Sequence, residues 1–447
     1  MSHQGFHPNG QYHPGPHGHG PQPGQPGHPQ PGFAPGPQHG GYGQAMQLHA
    51  PGVNQQFLNQ NYLKPIPRRS NMAMNIISIL IGVVGLLVLA FFLFIYAIQG
   101  GGVGFLLSFT LALLPISFVW LVVWFIDRWE PEPPQYLLAA VFWGGGVSVV
   151  LTLIWGLISS ELWMLVGLDP NVWGAMFQAP LHEEVTKGLG LLVILLANRR
   201  RITGPVDGIV YGALIGAGFA FTENILYFVG ALYEGGIAGI GFQFFFRGIA
   251  LPLLHPICVS FTGIGVGLAA RRGGFGRIIG GWFLGLIPAM AMHFAWNSIA
   301  TFAGFSRKVE DGLMIMVLGF LFVMLPAFII WIVIVVRFRK GESKILRERL
   351  GEYAAVGWYS PSEIEMLTSM EGRSGARKWA RQLGPQAQKT MREFIRESTN
   401  LAIVRNQLLH NRDLMSGQRD EEETLEILTH LRQELNSLQQ HQPSYAR

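Results

Sequence analysis

The chain has 447 residues, of which 49% are apolar and only 13% charged, with a formal net charge of +5; its mean hydropathy is +0.29. The charged share is about half that of an ordinary soluble domain. The composition excludes a wholly disordered chain, a collagen and a conventional soluble enzyme. It indicates an all-α polytopic membrane protein with polar ends.

Residues 1–70 are rich in Gly, Pro, Gln and His, with few aliphatics. Such a segment buries too little apolar surface to offset its ordering entropy, so a disordered tail is expected. Its histidines (His3, His7, His13, His17, His19, His28, His39, His49) are read as part of a solvated tail with at most loose metal affinity. No signal-peptide pattern precedes the tail. The single cysteine, Cys258, excludes internal disulfides and a CxxC metal site.

Residues 74–337 are dominated by apolar runs, and about eight transmembrane helices are expected. Their cores are 74–98, 103–126, 137–158, 173–197, 208–232, 249–270, 278–302 and 313–336. Each is long enough to cross about 30 Å of hydrocarbon at about 1.5 Å per residue. Residues 338–447 are polar and read as a helical tail packed on itself, with helices expected at 385–409 and 421–438.

The loops test that span count. Lys64, Arg68 and Arg69 precede the first span, and Arg128 follows the second. Arg199, Arg200 and Arg201 follow the fourth, Arg271, Arg272 and Arg277 separate the sixth from the seventh, and Arg337, Arg339, Lys340 and Lys344 follow the eighth. All fall on one side, which the positive-inside rule makes cytoplasmic, together with both termini. Arg247, Arg307 and Lys308 are exceptions on the opposite side. For Arg247, snorkelling to the outer interface is expected. The fourth span is the most polar. Without it the Arg199–Arg201 cluster would be exported and every later loop inverted, so parity requires that a charged segment crosses.

Ionisable and amide groups concentrate in the later spans. Glu183, Glu184 and Lys187 lie in the fourth, Glu223 and Asn224 in the fifth, His255 in the sixth, and His293 and Asn297 in the seventh. A charge near the bilayer centre costs roughly 2.5–3.5 kcal/mol on insertion scales, so these groups must face one another or a wet cavity. Counted from the outer ends, Glu183, Glu223, His255 and His293 fall roughly 9–15 Å deep, in one slab. Glu183 and Lys187 are one turn apart, as are His293 and Asn297. A structural ion-pair knot or plain interhelical hydrogen bonding would also use such residues, but the insertion cost favours function.

Two chemistries suit the set. A carboxylate takes a proton from water and delivers it to a leaving amine, with His293 and Asn297 as donors to the oxyanion. Alternatively two histidines and a carboxylate hold zinc and activate its water. The short H-E-x-x-H zinc motif is absent, because His182-Glu183-Glu184-Val185-Thr186 leads to Lys187. Both versions describe peptide hydrolysis inside the membrane.

The sequence resembles the PrsW-type intramembrane proteases of the CAAX protease-like superfamily. The resemblance rests on Glu183-Glu184-Val185-Thr186-Lys187, on Phe219-Ala220-Phe221-Thr222-Glu223-Asn224, on His255-Pro256, and on His293-Phe294-Ala295-Trp296-Asn297. Upstream, Asp127-Arg128-Trp129-Glu130-Pro131-Glu132-Pro133 looks like the family's juxtamembrane segment. The resemblance covers roughly residues 115–305. It implies a multi-pass cell-membrane peptidase acting on a membrane-anchored protein, an anti-sigma factor in the best-known members. It also implies Glu183 or Glu184 as general base, here Glu184 because Lys187 is placed to pair with Glu183. Glu223 and His255 would position water or metal, and His293 and Asn297 would bind metal or the oxyanion. Zinc is the expected cofactor of the metal version. The competing readings are a proton-coupled transporter and a non-catalytic membrane scaffold presenting the C-terminal helices. No nucleic-acid partner is expected, and oligomeric state is not legible.

Overall fold

The computed structural model describes residues 72–129, 131–167, 169–197, 202–272, 274–410 and 414–440. The expected disordered tail with its histidines, the cations Lys64, Arg68 and Arg69, the Arg199–Arg201 cluster and Glu130 lie outside them. The described residues are helical and contain no strand.

Eleven longer helices follow in order among the described residues, with the short helix Pro170–Trp173 and a π-helical segment, Gly174–Gln178, leading into the third. They are α1 Met72–Ile126, α2 Pro134–Leu165, α3 Ala179–Ala197, α4 Pro205–Phe244, α5 Leu254–Arg272, α6 Phe275–Gly304 and α7 Val309–Ala355. A C-terminal bundle adds α8 Pro361–Thr368, α9 Met370–Gln382, α10 Pro385–Leu409 and α11 Leu414–Gln440.

Among the described residues, five continuous helical stretches are long and apolar enough to cross a membrane. Seven of the eight expected cores lie wholly in helix and the sixth, 249–270, is interrupted at 251–253; two physical reasons separate the numbers. First, helix continuity hides chain reversals. In α1, Gly101 takes φ 59°, ψ 164°, a left-handed conformation open to glycine. The arms on either side of it, carrying Leu89 and Tyr96 on one and Ala112 on the other, join one buried cluster. The expected fifth and sixth cores likewise share the stretch Pro205–Arg271. Second, the fourth core, now α3, is not among the five, because Glu183, Glu184 and Lys187 depress its hydropathy.

Gly236 (φ 58°) reverses the chain again, and its consequence reaches the site. A Cβ on Gly239 would lie 2.4 Å from the Ala231 carbonyl oxygen, and the Phe228 and Phe244 rings are 6.1 Å apart. Residues 237–250 therefore run back antiparallel along α4. The helix breaks at Leu251 (φ −127°, ψ 37°) just before Pro252, and α5 resumes the descent at Leu254.

Glycine lets these helices touch backbone to backbone. A Cβ on Gly208, Gly212 or Gly216 would sit 2.0, 2.6 or 2.4 Å from a carbonyl oxygen of α5, those of Gly263, Val259 and His255. The α5–α6 contact repeats the device at Gly265 and Gly281. Small residues at such crossings supply the van der Waals packing that replaces the hydrophobic effect inside a bilayer. Large apolar side chains point outward instead, among them Leu87, Phe94, Leu284 and Phe322, all more than 60% exposed. That is the pattern of a lipid-facing surface.

Helix α7 joins two cores. Its Trp331 and Val335 pack in the membrane core, while Leu346, Leu350 and Tyr353 pack in the bundle core with Leu367, Met391, Phe394, Leu401 and Leu435. The bundle contains α8 and α9 in addition to the two helices expected from sequence. Ser360 and Glu363 form a capping box that starts α8. The juxtamembrane segment is the seam between the two parts. Tyr211 of α4 donates to Glu132 at 2.8 Å, and Arg373 of α9 donates to the Trp129 carbonyl at 2.7 Å.

Candidate active site

Helix α3 supplies the centre of the site. Glu184 and Lys187 are fully buried and Glu183 nearly so. Lys187 lies four residues after Glu183 and three after Glu184, so it can reach both carboxylates from one side of the helix. The Lys187 ammonium donates to Glu183 Oε2 at 2.9 Å, to Glu184 Oε1 at 3.0 Å and to His255 Nδ1 at 3.0 Å. Its three donors are thereby saturated. The same ammonium lies 3.8 Å from the centre of the Phe219 ring, a cation–π contact that helps offset its desolvation. Thr186 anchors the helix: its hydroxyl meets Thr152 at 2.8 Å, and its carbonyl accepts from Trp143 Nε1 at 3.1 Å.

His255 enters from the first turn of α5, where the close approach of Gly216 sets its height. Because Nδ1 accepts from Lys187, the imidazole proton sits on Nε2. That nitrogen lies 2.9 Å from Glu223 Oε2 on α4, which accepts it. His293 enters from α6. Its Nδ1 is 2.9 Å from Glu184 Oε1, and its Nε2 is 3.8 Å from Glu183 Oε2. The two imidazole centroids are 5.0 Å apart at 84°.

The structure thus brings together Glu183, Glu184, Lys187, Glu223, His255 and His293 from four helices. It treats the remaining expected residues differently. Asn224 is buried beside Glu223 and accepts from Arg247 Nε at 2.8 Å. Asn297 turns away from the cluster and donates to the Ala175 carbonyl at 2.9 Å, fastening α6 to the π-helical segment Gly174–Gln178 that leads into α3. The expected pairing of Lys187 with Glu183 is present but shared with Glu184. Lys187 bonds both carboxylates, so pairing alone does not distinguish them. What distinguishes them is Glu184 Oε2, a buried oxygen with no hydrogen-bond partner.

Arg247 is the site residue that sequence reasoning missed. Instead of snorkelling outward, it is ion-paired with Glu223 as well as bonded to Asn224. Its guanidinium stacks 4.1 Å from the Tyr227 ring centre. The reversal at Gly236 and the return helix bring it back to the level of Glu223. The signal was present as Gly235-Gly236 followed by Pro252, with one arginine between them in an apolar run. His182 is buried and stacks on Trp155 at 4.1 Å, outside the cluster.

Residues 132–331 match the model of the PrsW family intramembrane metalloprotease, which spans all four helices of this cluster. Over those residues the chain is similar to that family. The chain is also similar to a curated protein named Protease PrsW from Clostridioides difficile (strain 630), with 29% identity over 119 residues. That match covers 27% of this chain and 49% of the relative, so the chain spans about half the length of the protein it matches. No solved structure matches.

In the cluster, Glu183, Glu184, His255 and His293 each offer one ligand atom within 4.8 Å of the others. Two imidazoles with carboxylates suit a borderline divalent cation, and the unpartnered Glu184 Oε2 is a free donor for one. The residues therefore fit a metal. Its competitor is Lys187, whose ammonium bridges the same carboxylates.

Proposed function

We propose that this chain is an intramembrane peptidase that cleaves a membrane-anchored protein with a water activated by Glu184. The observation that carries the reading is the asymmetry of that carboxylate: Oε1 is held by Lys187 and His293, while buried Oε2 has no partner. In the proposed step Oε2 takes a proton from water, and the water oxygen attacks the scissile carbonyl carbon. The carbon–nitrogen bond then breaks as Glu184 passes the proton to the amide nitrogen. Products are a carboxylic acid and an amine, and the glutamate is restored as a carboxylate.

The other residues hold that geometry. Lys187 compensates three acceptors in a medium where an unpaired charge costs several kcal/mol. Glu223, held by Arg247, orients His255, whose Nδ1 in turn faces Lys187. His293 fixes Oε1 and, once protonated, is a donor for the oxyanion. Glu183, Glu184 and His293, with His255 if Lys187 releases it, are the proposed zinc ligands. A bound zinc would lower the pKa of its water.

Both termini are proposed to lie in the cytoplasm and the cluster in the outer half of the bilayer, which favours a substrate cut from the outer side, such as an anti-sigma factor in a stress cascade. Terminal proteomics on membranes of wild type, a deletion strain and the deletion complemented with Glu184→Gln tests the reading. A new protein terminus near a membrane span, seen in wild type alone, supports it. Identical termini in all three under several stresses would sink it and favour the proton-coupled carrier or scaffold. Zinc is tested separately by elemental analysis of wild type against His293→Ala: a difference of about one equivalent supports it, and equal content removes it.

A further inference from the structure

A second cluster of charge lies at the seam between the membrane domain and the C-terminal bundle, and among the described residues several of its arginines are not paired with an acid. Arg128 follows the end of α1, with its guanidinium 4.8 Å from the Trp124 ring and 5.2 Å from the Phe125 ring. Arg339 of α7 approaches Phe125 from its own helix, at 4.8 Å. Two guanidinium groups therefore share one aromatic ring. Trp124 and Phe125 are 57% and 51% exposed, on the apolar surface that faces lipid. The ring they share therefore marks where hydrocarbon ends and headgroups begin.

The bundle brings further arginines to the same place. Arg373 fixes α9 there through its bond to the Trp129 carbonyl and by stacking 4.7 Å over the Trp129 ring. Arg377 is one turn further along α9 and exposed. Partial burial and the charges of Arg392 and Arg128 lower its pKa from the usual arginine value. Among the described residues, Arg128, Arg377 and Arg392 make no ion pair with an acidic side chain. Arg339 Nε is buried with no hydrogen-bond partner. Elsewhere the bundle pairs its arginines, as in Arg432–Glu363 at 2.9 Å and Arg405–Glu352 at 2.8 Å. The seam cluster departs from that habit.

Glu342 balances part of the charge at Arg339, but like charges without a paired acid, as at Arg128, Arg377 and Arg392, favour an external anion. The planar guanidinium fork matches phosphate oxygens, and the height of the cluster matches a lipid headgroup. We propose that Arg128, Arg339, Arg377 and Arg392 bind the phosphate headgroup of an anionic phospholipid, which ties the C-terminal bundle to the membrane surface. The site lies apart from the Glu184 cluster and does not depend on its chemistry.

The test is native mass spectrometry of the full chain in mild detergent, titrated with phosphatidylglycerol or phosphatidylcholine. Wild type is expected to retain phosphatidylglycerol selectively. Each arginine near the surface is worth about fivefold in affinity, so Arg377→Gln with Arg392→Gln should weaken retention on the order of 30-fold. Arg377→Lys with Arg392→Lys should keep most of it, which separates lost charge from a misfolded bundle. Arg307→Gln with Lys308→Gln removes the same charge at the other end of α7 and should change nothing. Equal retention of the two lipids, or an equal loss in the Arg307/Lys308 variant, would overturn the site. Displacement of the lipid by millimolar inorganic phosphate would overturn the lipid assignment and leave a free-anion site.

Discussion

The membrane domain and the C-terminal bundle solve the problem of a buried charge in different ways. In the bundle, Arg432 and Glu363 form a pair buried to 7% and 4% exposure, and Arg373 is spent on two carbonyls and the Thr399 hydroxyl. Those charges cross-link helices whose leucine and phenylalanine core already packs. In the membrane domain one lysine serves two glutamates and a histidine, and the helices around it meet through glycine backbones. A bundle pair is replaceable by apolar residues of similar volume at little cost. The membrane cluster leaves one carboxylate oxygen unused, which structural pairing does not require. Arg432 Nε in the bundle is likewise buried without a partner; what singles out Glu184 is its place within ligand reach of two imidazoles and a second carboxylate.

The largest expected effects break that contrast on the membrane side. Glu184→Gln keeps the shape and removes the base, so cleavage should fall by about 10²–10⁴-fold with the thermal transition nearly unchanged. Lys187→Ala should fail both measurements, because it leaves two buried carboxylates without their cation and costs about 3–5 kcal/mol. Gly216→Ala comes next. Its methyl would sit 2.4 Å from the His255 carbonyl oxygen, forcing α4 and α5 apart at a cost of about 1–3 kcal/mol and shifting His255. Substrate turnover by that variant, measured in proteoliposomes, should drop more than its stability.

Arg432→Ala probes the other side of the comparison. It should destabilise the bundle by about 3–5 kcal/mol, since Glu363 is left buried and unpaired, while cleavage by the folded fraction persists. Loss of cleavage in proportion to bundle unfolding would show that the two regions are not separate in function. The smallest effect is a pH dependence at the seam. Burial raises the Asp127 carboxyl to about 7, with a further push from Asp207. A raised folded-state value means that the native chain holds a proton the unfolded chain has lost. Its stability contribution is therefore full below about pH 4 and is lost as pH rises to about 7. The thermal stability of Asp127→Asn relative to wild type should grow across that window and level off above it.

Much of this was legible in the sequence because membrane burial makes polar residues conspicuous. Glu183, Glu184, Lys187, Glu223, His255 and His293 stood out as charges that lipid would not tolerate, and their helices follow from apolar run length. The arrangement of Asn297 was hidden because an amide one turn from His293 suits either the cluster or a neighbouring carbonyl. Arg247 was hidden because a single charge in an apolar run reads as an interface marker until a chain reversal is placed at Gly236. The breaks at Gly101 and Leu251 depend on backbone angles that hydropathy does not report. Bundle helices α8 and α9 were missed because their short amphipathic stretches carry few aliphatics.

The measurement that bears most directly on the central claim is cleavage by purified full-length chain in proteoliposomes, with the substrate span identified from membranes. Wild type, Glu184→Gln and Glu183→Gln would be compared at equal folded protein. A product formed by wild type, retained in part by Glu183→Gln and lost in Glu184→Gln is the expected result. Cleavage by Glu184→Gln at the wild-type rate would contradict the assignment of the unpaired carboxylate oxygen as the base.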